Sequence, residues 1–227
     1  VSWLWQNLEL VLGLTLDHAR LSAIPVVVSL LASIPLGWAA SRSRAVRAVL
    51  LSVGGILFTI PSIALFVVLP LVIGTRILDE ANVVVALSIY GIAVMVRGSA
   101  DAFAAVPREV VDSSTAVGYS AWRRFWAVEL PLAGPVLLAS IRVVSVSTVS
   151  LVSVGSVIGV TTLGYLFFDG YQRVFPTEIL IGIVFTVIIA LVFDALLVLL
   201  GRLLMPWTRV VASARRSVTL VGARVTA

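Results

Sequence analysis

Apolar residues gather into five runs along this chain, at residues 21–40, 45–73, 83–100, 132–154 and 178–205. Charges, glycine and proline collect between them. A helix of roughly 17–25 apolar residues crosses the hydrocarbon core of a bilayer, so each run is long enough to span. Before the first run, Leu4, Leu8, Val11 and Leu12 recur at helical spacing among Trp3, Trp5, Glu9, Asp17 and His18. That pattern predicts that residues 1–19 form an interfacial helix on the outer surface, with His18 as an interfacial residue. Thr15 interrupts the stripe at its next position.

The second run is too long for one straight span, and Pro61 and Pro70 interrupt it. A break is expected at Thr59-Ile60-Pro61-Ser62, where proline frees backbone groups that neighbours or water must satisfy. Such a break is either a packing kink or a discontinuity lining a path through the membrane. The fourth run carries Ser145, Ser147, Thr148, Ser150 and Ser153. These hydroxyls fit two readings, close helix packing or one wall of a water-filled path. Residues 155–177 combine Gly155, Gly159, Gly164 and Gly170 with Tyr165, Phe167, Phe168 and Tyr171, which predicts a re-entrant or surface helix at an outer gate.

The longest polar interruption is residues 107–131. Pro107 suits the first turn of a helix, where a missing N–H is harmless. Glu109 and Asp112 then lie near the positive end of its dipole, and Gly118 is the natural stop. A second short helix follows, with Trp122, Phe125 and Trp126 on one face, Arg123 and Arg124 on another, and Pro131 resetting the chain. An interfacial loop would also place aromatics at the headgroups.

Composition agrees with a membrane bundle. Of 227 residues, 60% are hydrophobic and 12% charged, and the mean hydropathy is +1.15. The expected fold class is an all-α polytopic membrane protein, one domain over residues 1–227 with a tail at 206–227. Cysteine is absent and His18 is the single histidine, so neither a thiolate nor a histidine metal centre is available. An intramembrane hydrolase needs a nucleophile beside a base, and the lone histidine lies away from the middle of every run. No cleaved leader is expected, because no basic segment precedes a short apolar core with a cleavage site.

All sixteen basic residues are arginine, and they sort by side. Eleven (Arg42, Arg44, Arg47, Arg108, Arg123, Arg124, Arg202, Arg209, Arg215, Arg216 and Arg224) fall on one side and three (Arg20, Arg76 and Arg173) on the other. The positive-inside rule makes the first side cytoplasmic, with the N-terminus outside and the C-terminus inside. The arginines follow the membrane rather than form a stripe, so no nucleic acid is expected. Arg97 and Arg142 lie within runs. A charge at mid-membrane needs a partner. Arg142 lies eleven residues after Pro131 and Asp194 eleven residues before Met205. The constant rise of a helix puts them at similar depth, where they are expected to pair or share a polar network in a structural role.

Gly118, nine residues, then Val128-Glu129-Leu130-Pro131 resembles the signature loop of bacterial ABC importer permeases, E-A-A-x3-G-x9-I-x-L-P. Asp112-Ser113-Ser114 stands where that loop has Glu-Ala-Ala, and Val128 replaces Ile. Thr59-Ile60-Pro61-Ser62-Ile63-Ala64-Leu65 resembles the T-(I/V)-P-S-L-A-L segment of osmoprotectant importer permeases. Pro35-Leu36-Gly37, Val128 to Ala133, Ser140-Ile141-Arg142 and Phe193-Asp194 resemble their P-L-G, V-E-(I/L)-P-L-A, G-I-R and Ile-Asp. Ile158-Gly159 and Leu163-Gly164 resemble I-G-A-G-G-L-G, with Val160-Thr161-Thr162 in place of the small residues. The set is similar to the glycine betaine/carnitine/choline-type ABC importer permease over residues 20–205.

The resemblance implies a type I ABC importer permease with five transmembrane helices and a cytoplasmic coupling helix pair in the bacterial inner membrane. Its implied partners are two ATP-binding cassette subunits, a second permease that is identical or related, an extracytoplasmic substrate-binding protein and membrane lipid. ATP and Mg would be bound by the ATPase partner, with no cofactor in this chain and no catalysis by it. The implied coupling residues are Glu109, Asp112, Ser113, Ala116, Gly118, Trp122, Arg123 and Arg124. The path residues would be Thr59, Pro61, Ser62, Ser147 and Ser150. Alternatives are an importer for another small solute such as an amino acid, and an ATP-independent channel or secondary transporter.

Overall fold

A computed structural model describes residues 2–76 and 78–208, apart from the side chain of Ser2. Of the tail expected at 206–227, residues 209–227, with Arg209, Arg215, Arg216 and Arg224, lie outside the described residues.

A short α1 (Ser2–Gln6) leads into α2 (Leu8–Arg42). At about 1.5 Å per residue the 35 residues of α2 reach roughly 52 Å, well beyond a bilayer core. Residues 8–19 are therefore the first part of the first long helix, not a separate helix lying on the surface. Thr15, which breaks the apolar stripe, does not break the helix, because its Oγ1 donates to the Val11 carbonyl at 2.6 Å. His18 is fully buried rather than interfacial, and its Nε2 lies 2.9 Å from the Val149 carbonyl. The continuous helix turns His18 inward with Leu14 and Val11, which pack against Val149, Leu163 and Leu166.

The second apolar run forms α3 (Arg44–Thr59) and α4 (Ser62–Ile73), bent by 104° at the break expected from Pro61. The carbonyl of Ile60 accepts a hydrogen bond from the Tyr90 hydroxyl, so the break is satisfied from within. Phe58 packs edge-on against the same ring at 5.8 Å. Pro70, expected to interrupt as well, lies inside α4 and is buried. Near the end of a helix its missing N–H removes one bond and the remaining turns hold.

Helix α5 (Glu80–Ala104) runs through the centre, packed against α2, α3, α4 and α8 (Leu130–Val152). Arg20–Glu80 at one end of it and Arg47–Asp101 at the other, both 2.5 Å, tie it to α2 and α3. Between α5 and α8 come α6 (Arg108–Ala116) and α7 (Ala121–Arg124). Pro131 does not reset the chain as its position predicts. Helix continues from Ala121 to Ile158 through a π-helical turn at Phe125–Glu129. In that turn the Leu130 N–H donates to the Phe125 carbonyl, five residues back. The widened register leads into Pro131, which has no N–H to place.

A 3₁₀ turn at Ser153–Ile158, a left-handed Gly159 (φ +87°) and α9 (Gly164–Gln172) form the segment that precedes α10 (Pro176–Leu204). Thr162 organises it, its hydroxyl lying 2.6 Å from that of Ser156 and accepting from the Gly164 N–H at 3.2 Å.

One core lies where α2, α5 and α8 meet around Val26, Met95, Phe103, Leu137 and Ile141. Small residues set that approach. A Cβ on Gly37 would sit 2.3 Å from the Ser99 Cβ and 2.7–2.8 Å from backbone atoms of Ser99 and Ala100. Gly55 has nothing within 4 Å. Overfilling a packed site costs about 1–3 kcal/mol, or more when backbone must move. Gly37→Val is therefore expected to sharply reduce the yield of monodisperse protein extracted from membranes, with Gly55→Val close to wild type. Size-exclusion profiles of the two variants check it, and equal yields would refute the packing role.

A candidate coupling site and transport path

Residues 107–131 begin with α6, whose residues are exposed or half-exposed. Its end is held by two bonds, from the Gly118 N–H to the Thr115 carbonyl (2.9 Å) and from the Tyr119 N–H to the Ser114 carbonyl (3.0 Å). This pair closes a helix only when the residue after its last turn is left-handed, and Gly118 has φ +93°. Ser120 then caps α7, accepting from the Arg123 N–H at 3.3 Å. Glu109, Asp112, Ser113, Ala116, Gly118 and Trp122 all lie on the exposed surface.

The three aromatic residues expected on one face do meet, but they divide in depth. Trp122 is 71% exposed and Phe125 is buried. Phe125 stacks on Phe103 at 5.9 Å and meets Trp38 edge-on at 5.4 Å. The two arginines divide as well. Arg123 is exposed with its guanidinium over the Tyr119 ring at 4.5 Å. Arg124, expected on the docking face beside it, turns inward with its side chain 12% exposed. Its Nε donates to Glu129 Oε1 at 2.8 Å and its Nη1 to Thr115 Oγ1 at 2.7 Å. The reason is the buried carboxylate five residues on, which a helix-face argument does not weigh.

Glu129 is the residue that sequence reasoning missed. It is 5% exposed. Besides Arg124 it accepts from Arg42 Nη2 at 2.7 and 2.9 Å and from Trp38 Nε1 at 2.8 Å. Arg42 also lies over the Trp38 ring at 4.6 Å. One carboxylate thus joins the end of α2 to the start of the α8 helix and, through Arg124 and Thr115, to α6. Its place before Leu130-Pro131 was the available signal. Its partners on α2, 87 and 91 residues away, had none.

Thr59 and Pro61 are exposed at the α3–α4 break and Ser62 is half-buried, while the Thr59 hydroxyl donates to the Ile56 carbonyl at 2.7 Å. The α8 hydroxyls divide in burial. Ser145 and Thr148 are buried in the packing, whereas Ser147 and Ser150 are exposed. Ser147 lines a narrow recess with Phe58 and Tyr90, which brings α8 beside the break. Arg142 and Asp194 meet in a two-pronged pair, Nε to Oδ1 at 2.6 Å and Nη2 to Oδ2 at 2.8 Å. Their side chains are 44% and 30% exposed.

Comparison with known proteins meets this geometry from outside. "Osmoprotectant import permease protein OsmY" of Salmonella typhimurium is 30% identical over 194 residues, covering 84% of this chain and 80% of the relative. "Glycine betaine/carnitine/choline transport system permease protein OpuCB" of Bacillus subtilis is 27% identical over 84% of this chain and 86% of its own length. Among solved structures, a chain of the MetNI methionine ABC transporter in inward-facing conformations superposes with a TM-score of 0.68 at 20% identity, covering 85% of this chain and 96% of that one. A chain of an amino acid ABC transporter gives 0.71 at 16% identity, covering 88% and 97%. The fold is that of a type I ABC importer permease. The family described as binding-protein-dependent transport system inner membrane component matches residues 29–210, a stretch that holds the bent α3–α4 pair, α6, Gly118, Glu129 and the Arg142–Asp194 pair. The chain belongs to that family.

Proposed function

We propose that this chain is the permease subunit of an ATP-driven importer for quaternary-amine osmoprotectants such as glycine betaine, choline and carnitine. The observation that carries the reading is family membership over residues 29–210, joined to curated relatives that are named as permeases for these solutes.

In this reading the chain works in the bacterial inner membrane with its N-terminus outside and residues 107–131 in the cytoplasm, as the arginine distribution favours. Helix α6 docks on one of two ATPase subunits through Glu109, Asp112, Ser113, Ala116, Trp122 and Arg123. Gly118 sets its direction, and Arg124 transmits its motion inward to Glu129. A second permease, identical or related, completes the path, and an extracytoplasmic binding protein delivers the solute. ATP and Mg belong to the ATPases. Thr59, Pro61, Ser62, Ser147 and Ser150 line the path, and Arg142–Asp194 holds α8 against α10.

Such a division of labour is physically sound. A helix whose end is closed by two backbone bonds and whose base is tied through a buried carboxylate moves as a rigid body, so force on α6 reaches α2 and α8. The test is reconstitution with the cognate ATPase and binding protein, followed by uptake of labelled glycine betaine, choline and carnitine. Uptake is expected only with both partners and ATP, and amino acids are expected not to compete. Competition by an amino acid would move the chain to another substrate class, and uptake without ATP would overturn the importer reading.

A further inference from the structure

The Arg142–Asp194 pair lies on an exposed side of α8. Ala139, Arg142, Val143, Val146, Ser147 and Ser150 share the exposed side of α8. That side is bounded by α10 at Asp194 and by the end of α3 at Phe58. A half-exposed ion pair and two exposed hydroxyls on one side of α8 suit a polar space better than lipid, where even a paired charge loses hydration. Ser147 lies five residues and Ser150 eight residues beyond Arg142, or about 7.5 and 12 Å along the helix. A solute moving past the serines therefore meets the ion pair next.

The pair leaves part of the Arg142 guanidinium open. It uses Nε and Nη2 of Arg142, and Nη1 has no described partner. A carboxylate can join at Nη1 while an ammonium group lies against Asp194, giving four alternating charges without breaking the resident pair. The carboxylate is then held by a charge-assisted hydrogen bond, to which arginine's planar fork is suited, and a quaternary ammonium, having no N–H, by charge attraction to Asp194 alone.

We propose that Arg142 and Asp194 form a station on the transport path that takes a zwitterionic quaternary amine, the carboxylate on Arg142 and the ammonium on Asp194. The proposal rests on the substrate class given under Proposed function. It predicts that the two residues act on different solutes. Glycine betaine uses both ends of the pair, whereas choline, a cation without a carboxylate, has only Asp194 to hold it.

The test is uptake of labelled glycine betaine and choline by the reconstituted importer, with preloaded binding protein in excess so that selection before the membrane is constant. Arg142→Gln is expected to lower the betaine-to-choline uptake ratio about tenfold, the effect of losing one charge-assisted hydrogen bond. Asp194→Asn is expected to raise that ratio, because betaine keeps its hold on Arg142. Arg142→Lys, which keeps the cation and loses the fork, is expected to lower the ratio by less. The ratio does not depend on how many importers assemble, so poor folding does not imitate the result. Opposite swings support the station. Unchanged ratios overturn it, leaving a pair that only braces α8 and α10. Uptake of neither solute by the wild-type importer overturns the substrate reading and the station together.

Discussion

Glu129→Ala is expected to produce the largest loss of function of any single substitution around residues 107–131. The substitution removes the acceptor shared by Arg124, Arg42 and Trp38. It leaves two guanidinium groups facing each other with nothing between them. Removing one member of a fully buried ion pair costs about 3–5 kcal/mol. Arg42 is 39% exposed and keeps part of its hydration, which lowers the figure here to about 2–3 kcal/mol. That is on the order of a hundredfold in the equilibrium between the tethered and untethered arrangements of α6. The expected readouts are a lower thermal midpoint for the detergent-solubilised complex and uptake reduced by about tenfold or more. Glu129→Gln keeps the shape and one acceptor and is expected to fall between the two. In the double variant Arg42→Leu with Glu129→Leu, the midpoint is expected to recover part of the loss, because apolar groups of similar size can replace an ion pair. Uptake is expected not to recover, since α6 would remain untethered. A Glu129→Ala importer with wild-type midpoint and wild-type uptake would remove the carboxylate from the coupling scheme.

Gly118→Val is expected to separate ATP hydrolysis from transport. The position has φ +93°, which a β-branched residue reaches only under strain of about 1–3 kcal/mol. Nothing lies within 4 Å of the added Cβ, so crowding plays no part and the whole effect falls on the backbone. The chain relieves the strain by changing direction after α6, which re-aims the helix relative to Arg124 and Glu129. Because the loop is exposed and the packed helices are untouched, membrane insertion and amount of protein are expected to stay near wild type. The ratio of solute imported to ATP hydrolysed is expected to fall severalfold. Gly118→Asn separates strain from the loss of glycine as such, since asparagine tolerates the left-handed region, and it is expected to keep most of the coupling. A wild-type ratio in Gly118→Val would mean that the direction of α6 is not what carries the movement.

The two predictions differ in how early they were visible. Gly118 declares itself in the chain, because a glycine closing a short polar helix has few other uses, and the left-handed φ follows from its neighbours alone. Pro61 is the same kind of signal, and the 104° bend lies where it stands. The pairing of Arg142 with Asp194 was also within reach, although the residues are 52 positions apart. A helix rises by a constant amount per residue, so two charges equally far from the same membrane face lie at one depth. Glu129 gave no comparable sign. A glutamate in an amphipathic stretch is usually solvated, and the side chains that bury it come from another helix.

Local chemistry along the sequence therefore determined where the apolar runs lie, the break at Pro61, the turn at Gly118 and the matching register of Arg142 and Asp194. Each depends on residues within about one helical turn or on a fixed rise per residue. Only the tertiary structure decided that residues 8–42 are one helix, that helix runs through Pro131, that His18 is buried and that Arg124 turns inward to Glu129. Those outcomes depend on which face of a helix meets which neighbour, and a side chain's best partner in a packed bundle is set by proximity in space rather than along the chain.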